Sequence, residues 1–434
     1  MLMPTDLDEI LEKAQSSSVR FVELEYVDLH GILRNELLSL ETFRSRKEGT
    51  FDASSVGLSV INWSDAVLKP DPETATIKGD VLRILCEIWE PFAGERSKKD
   101  PRYIAKLSEE LLAKEGYKGF VGPEMEFMAL DEDLQPVTSW SSMPKANYHV
   151  APPSDPLYEF KLEAMRDLEE IGVRGEVTHH EVGMGQSEIS IKADTPLRSA
   201  DNVVRVKRSL KETGLKFGFI VTFMPKPVAG DNGSGMHIHM SLWDNERNLF
   251  YDPDDDYAEL SQLGRYFIGG LIDHIESLTA IVAPTVNSYK RLVPGYEAPI
   301  YAVWSRANRS AAIRVPIYRK GASKSKRIEF RVPDPSTNPY LAFAATFAAG
   351  LDGVRRRIDP GDPTDIDVYS SKVRAKRLPR SLHEALDALE SDNNYLREVF
   401  PLEVLDTYIA IKRKEASDIG SWPSDAEYKA YLNV

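Results

Sequence analysis

The chain of 434 residues has one cysteine, Cys86, and eight histidines. A single thiol excludes an internal disulfide framework and every multi-cysteine zinc or iron–sulfur site, as suits a reducing compartment, so any metal must be held by oxygen and imidazole. Positive charge is also short: 54 Lys and Arg stand against 68 Asp and Glu, a formal net charge of −14. That excludes nucleic-acid binding through a broad basic surface and leaves small-molecule chemistry as the better starting point. No apolar run reaches the roughly 20 residues of a membrane span. The longest weakly polar stretch, residues 340–351, reads as a buried helix. The first ten residues carry Asp6, Asp8 and Glu9 and lack the apolar core of a secretory signal, so a soluble, cytoplasmic protein is expected. Fixed-period repeats and low-complexity tracts are absent as well.

What is present suits a folded enzyme. A hydrophobic content of 42% is enough for one large core and one smaller one, hence two domains. Residues 6–14 suggest a helix, and 19–28 and 81–89 suggest strands. Pro91, Gly94 and the charged run 96–100 then break regular structure, which sets the boundary between residues 1–98 and 99–434. Asp100-Pro101 opens a helix that ends before Gly116, and further helices are expected over 157–171, closed by Gly172, and 200–213, closed by Gly214. Residues 359–363, rich in Pro, Gly and Asp, and the basic run 372–380 read as a surface excursion before helical patterns at 382–389 and 395–411.

The strands between these helices carry the chemistry. In Gly122-Pro123-Glu124-Met125-Glu126-Phe127, side chains switch faces at each residue, so Glu124 and Glu126 point the same way, whether on a solvated face or into a site. Glu181 and Glu188 bracket a glycine-containing turn. Met236-His237-Ile238-His239-Met240-Ser241 puts His237, His239 and Ser241 on one face, and Arg327-Ile328-Glu329-Phe330-Arg331 does the same with Arg, Glu and Arg. A lone strand histidine is more often hydrogen-bonded than metal-bound. Several strands aiming ionisable groups to one side imply instead a polar cleft, because unpaired buried charges cost several kcal/mol each. Carboxylate-rich donor sets without thiolate select magnesium or manganese, ions that accompany phosphates. Lys290, Arg291, Arg306, Arg309, Arg314, Arg319, Lys324, Lys326, Arg327 and Arg331 supply cations where a nucleotide needs them, the 324–326 part reading equally as a solvated basic loop. Gly230-Asp231-Asn232-Gly233-Ser234-Gly235 is a glycine-rich loop that matches neither the Walker nor the dinucleotide pattern. Residue chemistry reaches a metal-dependent, phosphate-handling site and leaves the substrate open.

The run Asn287-Ser288-Tyr289-Lys290-Arg291-Leu292-Val293-Pro294-Gly295-Tyr296-Glu297-Ala298-Pro299, with Asp231 to His237 and Arg327 to Tyr340, resembles glutamine synthetases of type I. That resemblance implies an α+β fold: a small N-terminal β-grasp domain and a large catalytic domain whose antiparallel strands form a funnel surrounded by helices. It implies Glu126, Glu181 and Glu188 as ligands of one Mg2+ or Mn2+, and Glu124, His237 and Glu329 as ligands of a second. Asn232, Gly233, Arg291, Arg309 and Arg331 would hold glutamate, and Glu176, His239, Ser241, Arg314 and Lys324 would contact ATP. Asp52 and Tyr148 match the ammonium site, and Glu297 the lid over an acyl phosphate; Asp52, Glu297 and Arg309 are the implied catalytic set. The implied reaction joins ammonia to glutamate through γ-glutamyl phosphate, in a homo-oligomer of two stacked six-membered rings whose Asp52 reaches a neighbour's site. The chain departs from the family at Ala53, in a shorter stretch up to Asp65 with Ile61 or Asn62 at a feedback-sensing position, and at Ser187, which stands for a histidine and is expected to tune the metal from outside its ligand shell. Tyr369 lies near a modified position of some members, and no modification is assigned to it. The alternatives are a ligase for an organic amine and a catalytically silent relative.

Overall fold

The computed structural model describes residues 6–138, 145–317, 319–369 and 373–432; Lys372 of the basic run and residues 1–5 lie outside them. Asp6 caps α1 (Leu7–Ser16), its carboxylate accepting from Asp8 N at 2.8 Å. There follow β1 (Phe21–Val27), β2 (Leu33–Ser39), α2 (Leu40–Arg46), β3 (Gly49–Asp52), β4 (Asp65–Pro70), β5 (Thr76–Lys78) and β6 (Val81–Trp89). They form a sheet in the order β2-β1-β6-β4-β3, with β5 also on β6. The β1–β6 pair is parallel and the rest antiparallel.

The larger unit begins at α3 (Pro101–Lys114), with Asp100 as its cap, and β7 (Lys118–Leu130). Next come α4 (Tyr158–Glu170), β8 (Gly175–His180), β9 (Gln186–Ile191), α5 (Pro196–Lys216), β10 (Ile220–Thr222), β11 (Met236–Asp244) and β12 (Arg247–Asn248). After them come α6 (Gln262–Asp273), α7 (Ile275–Val282), α8 (Ser288–Arg291), β13 (Trp304–Arg306), β14 (Ile313–Val315), β15 (Ile328–Phe330) and α9 (Pro339–Arg356). Helices α10 (Leu382–Ser391), α11 (Leu402–Gly420) and α12 (Asp425–Tyr431) close the chain. Nine strands make one sheet, β13-β14-β15-β11-β7-β9-β8, with β10 on β7 and β12 on β11. All pairs are antiparallel except β13–β14, in keeping with the expected antiparallel-strand funnel.

Helix α9 is buried along most of its length, as its apolar sequence implies. It meets α6 backbone to backbone: a Cβ on Gly353 would fall 2.4 Å from Gly270 N, so the two glycines permit the contact. Helix α5 starts at Pro196 and runs through Gly214, where a Cβ would fall 2.6 Å from Val221 Cγ2; the left-handed turn that ends it is at Gly218. The helix expected over 395–411 is split, because Pro401 cannot donate to the preceding turn, and α11 starts after it. Nor is the excursion after residue 359 confined to the surface: Val368 and Leu378 are buried. No helix among the described residues is long and apolar enough to cross a membrane.

Candidate active site

The strand pairing sets the chemistry side by side. Glu124 on β7 stands opposite His237 on β11, Glu126 opposite Glu188 on β9, and Glu188 opposite His179 on β8. Glu329 on β15 stands opposite both His239 on β11 and Arg314 on β14. Directly opposed side chains share a face, and like charges so placed repel. Five strands thus deliver carboxylates and imidazoles to one side of the sheet.

Three overlapping groups result, each with its ligating atoms within 4.8 Å of one another: Glu124, His237 and Glu329; Glu126, Glu188 and His237; His179, Glu181 and Glu188. His237 bridges the first two, its Nδ1 lying 3.6 Å from both Glu124 Oε2 and Glu329 Oε1 and its Nε2 3.8 Å from Glu126 Oε1. His179 spans the third, 3.4 Å from each carboxylate. Burial, then the neighbouring Glu126 and Glu188, pushes Glu181 up to about 8. Glu188 rises for the same reasons, burial and then Glu124 and Glu126. Glu329 goes the other way, to about 2: burial opposes its charge, but Arg331, the two β11 histidines and Arg314 outweigh it. Both arginines hydrogen-bond its carboxylate. The Glu181–Glu188 end therefore lacks the cations that would hold its carboxyls ionised, and an oxygen-rich donor set of this kind fits a hard divalent cation, which would displace their protons.

The glycine-rich loop explains itself by packing. A Cβ on Gly235 would fall 2.5 Å from Arg291 Nη2 and 2.8 Å from His237 Nε2, so bare backbone is needed for side chains of this protein to close on the loop. Gly235 N donates to Glu126 Oε2 at 2.8 Å and Gln186 Nε2 to the same oxygen at 3.2 Å, leaving Glu126 Oε1 toward His237. Arg291 is buried with its donors on the carbonyls of Arg331, Val332 and Pro333, which places it as a brace of that segment.

Two clefts flank the cluster. One, of about 920 Å3, is lined by Glu176, His239, Ser241 and Lys324, all of the residues expected at ATP except Arg314, together with Glu124 and Arg327. A bulge at Glu176 in β8 adds the extra residue that leans there. The other, of about 750 Å3, is lined by Asn232, Glu297, Arg309 and Tyr369. Arg314 and Arg331 meet the cluster at Glu329. Gly233 packs against Arg291, and Tyr148 lies edge-on to His179 at 5.8 Å. Asp52 is not brought in: it is exposed on the N-terminal sheet, hydrogen-bonded to Ser54 and Ser55, and lines neither cleft. Ser187 is buried opposite His180, one residue out of phase with Glu188, so it faces away from the cluster. The sequence reading missed His179, although its parity with Glu181 was available.

The glutamine synthetase catalytic-domain family matches residues 98–431, and the glutamine synthetase beta-grasp domain matches residues 18–91. The chain belongs to the glutamine synthetase family. Among relatives of this family, the glutamine synthetase of Sulfolobus acidocaldarius is 43% identical over 99% of both chains, and that of Streptomyces filamentosus 40% identical over 98% of this chain and 99% of the other. The alignment with the Sulfolobus acidocaldarius protein spans 469 positions, more than the 434 residues here, so that relative carries segments this one lacks. Among solved structures, a GmaS–ADP complex superimposes with a TM-score of 0.89 at 30% identity over 99% of this chain and 100% of that one. Plasmodium falciparum glutamine synthetase does so with 0.89 at 28% identity over 99% of each.

Proposed function

We propose that this glutamine synthetase family member joins ammonia to the side-chain carboxylate of glutamate with hydrolysis of ATP, through γ-glutamyl phosphate. The observation that carries the reading is the row of Glu124, Glu126, Glu188, His237 and Glu329 on one sheet face between two clefts of different lining. ATP enters the cleft of Glu176, His239, Ser241 and Lys324, and Arg314, paired with Glu329, supplies a further cation for it. Glutamate enters the other, against Asn232, Gly233, Arg309 and Arg331, with Arg291 as the brace behind them. Glu126, Glu181 and Glu188, and Glu124, His237 and Glu329, would hold magnesium or manganese, which would supply charge neutralisation for the phosphoryl group. Arg309 and Arg331 bring further positive charge to the oxygens on which charge develops. The glutamate carboxylate attacks the terminal phosphorus, ADP leaves, and ammonia then displaces phosphate from the acyl carbon. Glu297 covers the acyl phosphate and takes the proton lost by ammonium, and Tyr148 belongs to the ammonium site with Asp52.

Asp52 completes the ammonium site from a neighbouring subunit. In support, Val60, Ile61, Trp63 and Phe92 are exposed on the same small domain, an apolar surface suited to a second copy. Stacked six-membered rings, a cytoplasmic location and a division of the chain at residues 98/99 belong to the same reading. The test is phosphate release from ATP with glutamate and Mg2+, comparing ammonium, putrescine, ethanolamine and no acceptor, with the product identified by mass. Glutamine formed only with ammonium is expected. A γ-glutamyl amine in its place would move the acceptor, and no turnover with any acceptor or metal would sink the reading.

A further inference from the structure

The segment 364–369 belongs to no helix or strand, yet it holds two of the loops that line the proposed glutamate cleft. Val368 is buried with Val303 and Ala311 in a small core separate from the main one, with Tyr301, Tyr369, Val373 and Ala375 packed around it. On one side the segment grips the loop of Arg309: Asn308 Nδ2 donates to Thr364 O at 2.8 Å and to Ile366 O at 3.0 Å, and Val368 N donates to Ser310 Oγ at 3.3 Å. On the other, Tyr369 Oη donates to Ala298 O at 2.7 Å, one residue from Glu297. Glu297 itself has φ +59, a left-handed conformation that a non-glycine residue keeps only when its surroundings impose it. Its ion pair with Lys145, at 3.4 Å, joins two exposed side chains and is worth little.

We infer that Tyr369 is a positioning residue, whose hydroxyl, through Ala298, holds the Glu297 loop over the cleft while the rest of segment 364–369 holds Arg309. This rests on the proposed role of Glu297 as cover of the acyl phosphate. Burial pushes the Tyr369 hydroxyl up to about 12, so it remains a donor throughout the working range. When the cover loosens, water attacks the acyl phosphate, returning glutamate and releasing phosphate. The net reaction is then hydrolysis of ATP to ADP and phosphate, with no glutamine formed.

The experiment compares the full-length protein with Tyr369→Phe, which keeps the ring and removes the donor, and with Val368→Ala, which loosens the same small core. Two quantities are read: phosphate released per glutamine formed, and hydrogen exchange at the amides of residues 295–298. With Tyr369→Phe the ratio should rise from one to about two or more, and the exchange at those amides about tenfold, with thermal unfolding unchanged. Val368→Ala should move both in the same direction. Unchanged exchange would overturn the inference, and so would faster exchange at a ratio that stays at one. If the wild-type protein forms no glutamine, the functional reading fails, while the exchange measurement still decides whether Tyr369 holds the loop.

Discussion

Two clusters of buried charge in this molecule look alike in composition and differ in balance. The first joins the small unit to the large one: Arg102 of α3, only 1% exposed, donates to Asp201 of α5 twice at 2.9 Å and to Asp71 at 2.8 Å. Arg198 reaches the same two carboxylates at 2.9 and 3.0 Å, and Tyr340 Oη donates to Asp201 at 2.8 Å. Burial raises Asp71 and Asp201, but Arg102 and then Arg198 outweigh it, and both stay below their ordinary values. The second cluster is the candidate active site, where Glu181 and Glu188 end far above theirs. Burial of charge therefore does not by itself mark a site. Carboxyls left without compensating cations do, because a structural network supplies its own partners and a functional one keeps its complement for a ligand.

Glu188→Gln should break that contrast most visibly. Turnover should fall by roughly 10³-fold, the loss of several kcal/mol that the proposed metal-holding role of Glu188 implies. Yet the melting temperature of the metal-free protein should rise, since the cost of holding Glu188 protonated in the fold has gone; a fall would mean that Glu188 is structurally compensated after all. Arg102→Met should do the reverse. Stability should drop by about 3–5 kcal/mol in denaturant titration, because Asp201 is left buried without its main partner, while the affinity of any surviving folded protein for Mn2+ stays the same.

Next in size is the response to pH and cation. Between about 4.5 and 8 the unfolded chain ionises Glu181 and Glu188 while the folded chain keeps its protons, so their contribution to metal-free stability falls as pH rises through that window. Asp71 and Asp201 have the opposite sign: their contribution is present above the unfolded value near 3.8 and is lost only as pH falls below it. Mg2+ at about a hundredfold its dissociation constant should restore roughly 2.7 kcal/mol, with a larger rise in melting temperature at pH 8 than at pH 6. Equal rises at both values would show that cation binding does not draw on these carboxylates. The smallest expected effect is Asp52→Asn: the Michaelis constant for ammonium rises by about tenfold, roughly 1.4 kcal/mol, with melting unchanged.

Much of the site was legible in the amino-acid pattern. Alternation on β7, β11 and β15 assigned Glu124, Glu126, His237, His239 and Glu329 to one face, because strand side chains repeat every second residue. Helix starts were readable where Asp6 and Asp100 supply caps. Gly214 misled, since a glycine that admits a neighbour in mid-helix looks like one that ends the helix. Glu176 entered its cleft through a bulge, which periodicity does not report. The network of Arg102, Asp71 and Asp201 was invisible because its members are 31 and 99 residues from Arg102. Residues 364–369 fell between two stretches that read as surface chain, because their partners Asn308, Ser310 and Ala298 lie 56, 58 and 71 residues away and leave no local pattern.

The sequence by itself determined the donor chemistry, oxygen and imidazole without thiolate, and which residues of each strand share a face. Only the tertiary structure decided which of them stand opposite one another, that Glu329 meets His239 and Arg314 while Glu188 meets Glu126 and His179. The physical reason is that parity is set by the local pleat of one strand, whereas register is set by hydrogen-bond ladders and core packing between strands far apart in the chain.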